Sequence, residues 1–151
     1  MNIEKVIVSN ALECIENIVR NISNERAKRS FRSRARDIPS DLFTRGPTYT
    51  MVYIAARSNV HSLNIAFAAS DCKQIVEYIN KSDMKPEEKG YALYGAVVIH
   101  ILKQLGLIKA RNFTELINET LTNPVLYNYF NAIAEWIKRF AEGYIEIGSG
   151  D

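Results

Sequence analysis

The 151-residue chain is poor in residues that interrupt or cross-link a polypeptide: it has seven glycines, four prolines and two cysteines. So few breakers, separated by long stretches, argue against a strand-and-turn protein and for helices. No run approaches the ~18 uninterrupted apolar residues of a membrane span. The longest candidate covers residues 91–102 and contains His100. The opening Met1-Asn2-Ile3-Glu4-Lys5 lacks a basic segment followed by an apolar one. No export signal is read there, and the chain is expected in the cytoplasm with no membrane partner. Cys14 and Cys72 have no CxxC or Cys/His spacing, and both fall at apolar-periodic positions. They are expected as buried free thiols, ahead of a disulfide or a metal ligand.

Signatures of catalysis are also missing. There is no phosphate-cradling glycine loop, no GxSxG and no HExxH, and the chain has only two histidines. His100 lies in the most apolar segment, where a hydrogen-bonded core histidine is expected. His61 falls at a helix boundary, as a capping or surface residue. Glu87-Glu88 read as first-turn acids favoured by the helix dipole. Asp37 and Asp41 sit among arginines, as salt-bridge or capping partners before metal ligands. No catalytic residue, metal or cofactor is assigned, and the chain is not expected to be an enzyme.

Apolar residues at three- and four-residue spacing mark the helices. The first stripe runs from Ile3 through Val6, Ile7, Ala11, Cys14, Ile15, Ile18 and Val19 to Ile22. The pattern weakens at Ser23-Asn24 and resumes through Ala27, Phe31, Ala35 and Ile38; either the first helix continues or a second begins there, and it is expected to end at Pro39, because proline removes a donor and restricts its predecessor. Gly46-Pro47 reads as a stop and restart, followed by a helix to about residue 57. Another helix is expected from a Ser62 cap to about residue 79. Ser82-Asp83 should cap the next, which opens on Pro86 and is apolar almost all round from Tyr91 to Leu102, the most buried of the set. Gly106 is its expected C′ residue. Asn112 should cap a short helix to about residue 121, and Asn123-Pro124 should open the last, through Phe130, Ile137 and Tyr144. The expected fold is an all-α, single-domain bundle of about six helices over residues 1–147, with a flexible tail at 148–151.

What the chain has in excess is arginine, in one place. Six of the eleven residues from Arg26 to Arg36 are basic: Arg26, Lys28, Arg29, Arg32, Arg34 and Arg36. Residues 20–45 carry eight bases against three acids, a local +5, while the remainder holds eleven against fourteen, so the overall +2 conceals a polarised molecule. On a helical wheel with Arg26 at the origin, Ala27, Phe31, Ala35 and Ile38 share the buried side. Arg29, Arg32 and Arg36 fall at roughly 300°, 240° and 280°, a ridge about 10 Å long. Lys28 and Arg34 flank the apolar side, where long stems pack while charged heads reach water. Glu25 offsets only Arg29, at i+4. Such a ridge gains most by neutralising phosphates and releasing their counterions. With no base-reading helix evident, contact should be to backbone and shape. Arg45 and Arg57 lie just beyond and extend the set of RNA-binding candidates. The alternative is a helical adaptor or oligomer-forming protein whose arginine face meets an acidic partner. Tyr49, Tyr53 and the Tyr127/Tyr129 pair are candidates for a stacking surface, against the more common core role of aromatics at helical spacing.

The stretch Ala35-Arg36-Asp37-Ile38-Pro39-Ser40-Asp41-Leu42-Phe43-Thr44-Arg45-Gly46-Pro47-Thr48-Tyr49-Thr50 resembles the small helical subunit of the type III-B CRISPR effector, the Cmr complex. The matching layout is Ile38-Pro39, then Gly46, then an apolar helix to Arg57-Ser58. Residues 127–140, with Ala134-Glu135-Trp136-Ile137-Lys138-Arg139-Phe140, resemble the family's closing Trp-containing helix. The chain departs from the pattern at Gly46-Pro47, where many members have Gly-Leu. The resemblance implies a non-catalytic subunit in antiviral defence, whose partners are other CRISPR effector subunits, guide RNA and target RNA. It implies copies that self-associate by stacking and help bridge the particle, with cleavage left to other subunits.

Overall fold

In the computed structural model, which describes residues 2–147, the first stripe folds as α1 (Ile3–Asn21). Asn2 caps it, its Oδ1 accepting from the Lys5 amide at 3.1 Å. The second helix, α2, runs Glu25–Arg57 from an Asn24 cap whose Oδ1 accepts from the Ala27 amide. It passes through Pro39, contrary to expectation. Proline inside a helix costs about 3 kcal/mol, but Ala35, Ile38 and Leu42 keep the buried stripe continuous across it, and that burial offsets the lost bond. The true break is Gly46, whose φ of 85° and ψ of 171° are not helical; Pro47 restarts the helix beyond it. The chain thus kinks where Gly-Pro was read as punctuation.

The helix expected over 62–79 is two, α3 (Val60–Ala68) and α4 (Cys72–Lys81). The Lys103 ammonium explains the split. It donates to the carbonyls of Ala66, Phe67 and Ala69 at 3.0, 2.8 and 3.2 Å, satisfying the end of α3. Asp71 then caps α4, accepting from the Gln74 amide. Asn59, not Ser62, caps α3. Helix α5 (Pro86–Gln104) begins at Lys85 instead of Ser82-Asp83; the Glu88 carboxylate accepts from the Lys85 amide at 2.8 Å. It is buried without interruption from Gly90 to Leu102 and packs most extensively on α2. It ends in a Schellman motif, with Gly106 at φ 68° and the Leu107 amide donating to the Leu102 carbonyl. Asn112 caps α6 (Phe113–Thr122), and α7 (Leu126–Tyr144) lies against α1 and α2.

The fold is all-α, with seven helices and no strand among the described residues. The tail expected at 148–151 lies outside them.

The cysteine reading is overturned. Cys14 on α1 and Cys72 at the start of α4 form a disulfide, with Cα atoms 5.3 Å apart. Both are fully buried, as expected, but the packing of α1 on α4 brings them within bonding geometry. The pairing spans 58 residues of chain, so local spacing carried no trace of it.

Candidate nucleic-acid interface

The basic cluster occupies the first half of α2. Its apolar stripe, Ala27, Phe31, Ala35 and Ile38, is buried as the wheel requires. The opposite side is a trough of about 560 Å³, not a free ridge. Arg26, Arg29, Arg32, Arg34 and Arg36 all line it, with Ser30 and Ser33 between them. Pro86 and Glu87 of α5 and Ile147 also line it. On the wheel Ser33 lies near the middle of this arc, with arginines on both sides of it.

Helix α5 comes this close because Gly90 has no side chain. A Cβ at Gly90 would collide with the Ser30 side chain and stand 2.7 Å from the Ser30 carbonyl carbon. The contact also lets the Ser30 hydroxyl donate to the Glu87 carbonyl at 3.0 Å.

The arginines are held in different ways. Arg32 donates through Nε to the Ile145 carbonyl at 2.9 Å, anchoring the chain just past α7. Arg36 pairs with Asp37 at 2.9 Å, and that hydrogen bond raises its pKa further above the ordinary arginine value. Arg34 has its guanidinium 4.5 Å from the Tyr91 ring centroid and 3.9 Å from the Glu87 carboxylate. Arg57, at the far end of α2, reaches the same carboxylate at 2.7 Å and sits 5.4 Å from the same ring. The Glu87 hydrogen bond raises the Arg57 pKa, and burial raises that of the Tyr91 phenol.

Of the eight sequence candidates, five meet in the trough. Lys28 does not: its stem is buried on the flank, as expected, and its ammonium pairs with Glu25 at 3.0 Å. Arg57 stands outside the lining, bound to Glu87. Arg45 lies further along, over the Tyr49 ring at 4.5 Å. Sequence reasoning missed Ser30, Ser33, Glu87 and Ile147. The serines carried a signal, since they interleave with the arginines on one wheel face; the other two arrive through long-range packing.

Among the described residues the lining gathers five guanidinium groups and two serine hydroxyls against one carboxylate. Planar forks with multiple donors suit phosphate oxygens. Elsewhere, Cys14, Cys72 and His100 place sulfur and nitrogen within 4.8 Å of one another, but the sulfurs are bonded to each other and are not thiolate ligands. His100 is buried, and its Nδ1 has no hydrogen-bond partner among the described residues, unlike the satisfied core histidine expected. His61 is exposed, against Tyr78. Among the described residues no helix is long and apolar enough to cross a membrane.

The profile of the CRISPR-associated protein family Cas_Cmr5 matches residues 3–144. The chain belongs to that family. Cmr5 is a non-catalytic structural subunit of the type III-B CRISPR Cmr complex. The CRISPR system CMR subunit Cmr5 of Saccharolobus solfataricus is 27% identical over 143 residues, which cover 87% of this chain and 88% of that relative. A chain of the type III-B Cmr-beta complex bound to non-cognate target RNA shares the fold, with TM-score 0.75 and 22% identity over 98% of this chain and 99% of that one. A second, from the Cmr-beta complex bound to cognate target RNA and AMPPnP, gives 0.76 and 21% over 94% and 97%.

Proposed function

We propose that this Cmr5-family subunit contacts the guide–target RNA of its effector complex through the α2 trough, by phosphate contacts that do not depend on sequence. The observation that carries the reading is the trough itself: Arg26, Arg29, Arg32, Arg34 and Arg36 around Ser30 and Ser33. The solved relatives with this fold belong to particles bound to target RNA, which supports the choice of ligand. Within such a particle the chain adds no cleavage chemistry. It associates with the other effector subunits in the cytoplasm, and copies of it stack to help bridge the particle.

The test replaces Arg26, Arg29 and Arg36 with alanine and leaves Arg32, which holds Ile145. Losing phosphate contacts on a single strand flattens the plot of log affinity against log salt by about 0.7 per contact, so by about 2 for three. Unchanged RNA retention and an unchanged slope, with the helical circular-dichroism signal intact, would overturn the proposal. Binding to an acidic protein that survives loss of RNA would favour an adaptor instead.

A further inference from the structure

Beyond the trough, α2 carries a second arrangement that phosphate binding does not use. Tyr49 and Tyr53 lie one turn apart past the Gly46 kink, with ring centroids 6.3 Å apart and planes within 10° of parallel. Tyr53 meets Tyr91 edge-on at 5.9 Å. On the outer side, the Arg45 guanidinium lies 4.5 Å from the Tyr49 centroid. Arg34, which lines the trough, covers Tyr91 at the inner end. A continuous series, Arg34–Tyr91–Tyr53–Tyr49–Arg45, therefore leads from the trough past the buried Tyr91 to the exposed Tyr49 and Arg45.

Its two ends differ. Arg34 is mostly buried and shares Glu87 with Arg57. Arg45 is exposed and has no carboxylate partner among the described residues; its one recorded contact is the tyrosine beneath it. Tyr49 is itself 47% exposed. A lone surface arginine on an aromatic ring gains only modestly from the contact, yet here the ring is backed by a second parallel tyrosine and fixed edge-on by a third. The result is an aromatic column ending in an exposed planar cation. Unpaired bases stack on aromatic rings and on arginine planes, and every base offers a π-face regardless of sequence.

We propose that the Tyr53–Tyr49–Arg45 column is a stacking platform for an unpaired base of single-stranded RNA whose backbone lies in the trough. The inference rests on the trough reading, and the experiment separates the two. The full chain is titrated at low salt with a single-stranded oligoribonucleotide and with an abasic strand of equal length and charge. Stacking of one base should make the base-bearing strand bind about tenfold more tightly. Tyr49→Leu should remove that difference and leave abasic binding unchanged. So should Arg45→Lys, which keeps the charge but loses the plane. The Arg26/Arg29/Arg36 alanine variant should weaken both strands equally. If the wild-type chain binds both strands alike, or either platform variant retains the difference, the platform is overturned and the trough reading stands. If neither strand binds, both fall. Circular dichroism confirms that each variant is folded.

Discussion

Cys14 and Cys72 bond α1 to α4 at a sequence separation of 58, and both are fully buried in the core. Closing a loop of that length removes conformational freedom from the unfolded chain, worth about 4 kcal/mol on the chain-entropy account. Reducing the protein, or making Cys14→Ser and Cys72→Ser together, should lower its melting temperature by roughly 10 °C for a domain of this size. Differential scanning calorimetry with and without a phosphine reductant checks this. Coincident melts would show that the bond contributes nothing.

Glu87 stands where the trough meets the aromatic column, and among the described residues it is the single carboxylate in the trough lining. It holds both Arg34 and Arg57. These contacts are solvent-exposed on the acid's side, so their loss should cost stability by no more than about 1 kcal/mol. A carboxylate about 4 Å from an incoming phosphate repels it by about 1 kcal/mol in water. Glu87→Gln should therefore raise RNA affinity about fivefold at low salt. The gain should shrink as ionic strength rises and the charges are screened. Salt-titrated filter binding reads both effects, and an affinity that falls or stays flat would contradict the trough as the RNA path.

The parts of this fold that sequence made visible are the ones whose cause is local. Apolar spacing located α1 and the all-round burial of α5; Gly106 marked the end of α5, Asn112 the start of α6 and Gly46-Pro47 the kink of α2, through capping and φ requirements that a few residues decide. What escaped was decided at a distance. The break between α3 and α4 depends on Lys103, more than thirty positions away, reaching the carbonyls that end α3. Passage of α2 through Pro39 depends on burial of Ile38 and Leu42 against the rest of the core. The same division holds at the site. The wheel put Arg29, Arg32 and Arg36 on one face because helical phase is local. It could not show that α5 rises beside them at Gly90, turning a ridge into a trough, nor that Arg32 is committed to Ile145.

His100 gives a dependence on pH. Burial pushes its pKa below the ordinary value near 6.5, and the nearby Lys103 charge acts in the same direction, while Asp71 opposes them. In this window the unfolded chain binds a proton that the folded chain refuses. Stability should therefore be complete above pH 6.5 and decline as pH falls below it, until the lowered folded pKa is reached. Chemical denaturation from pH 7.5 to 5 should show the decline. It should be flatter in His100→Leu, which keeps the apolar volume and removes the titrating ring. Parallel curves for the two proteins would exclude His100 as the source.

Gly90 makes the last prediction, because it tests whether the trough's shape or only its charge matters. A Cβ there would meet the Ser30 side chain and backbone, so Gly90→Ala must push α5 away from α2 along the most extensive helix pair in the molecule. Overpacking of this kind costs about 1–3 kcal/mol. The backbone Cβ–carbonyl clash cannot be relieved by a rotamer change, which places the expected loss toward the upper end. The shift would also move Glu87 and the Tyr91 ring away from Ser30 and Arg34, widening the trough without altering any charge. RNA affinity should then fall while its salt slope is retained, the opposite pattern from removing arginines. Ser30→Gly in the Gly90→Ala background should restore part of both properties, since it takes away the side-chain half of the clash. Failure of that rescue, with stability lost as expected, would mean that the backbone contact alone sets the spacing of the two helices.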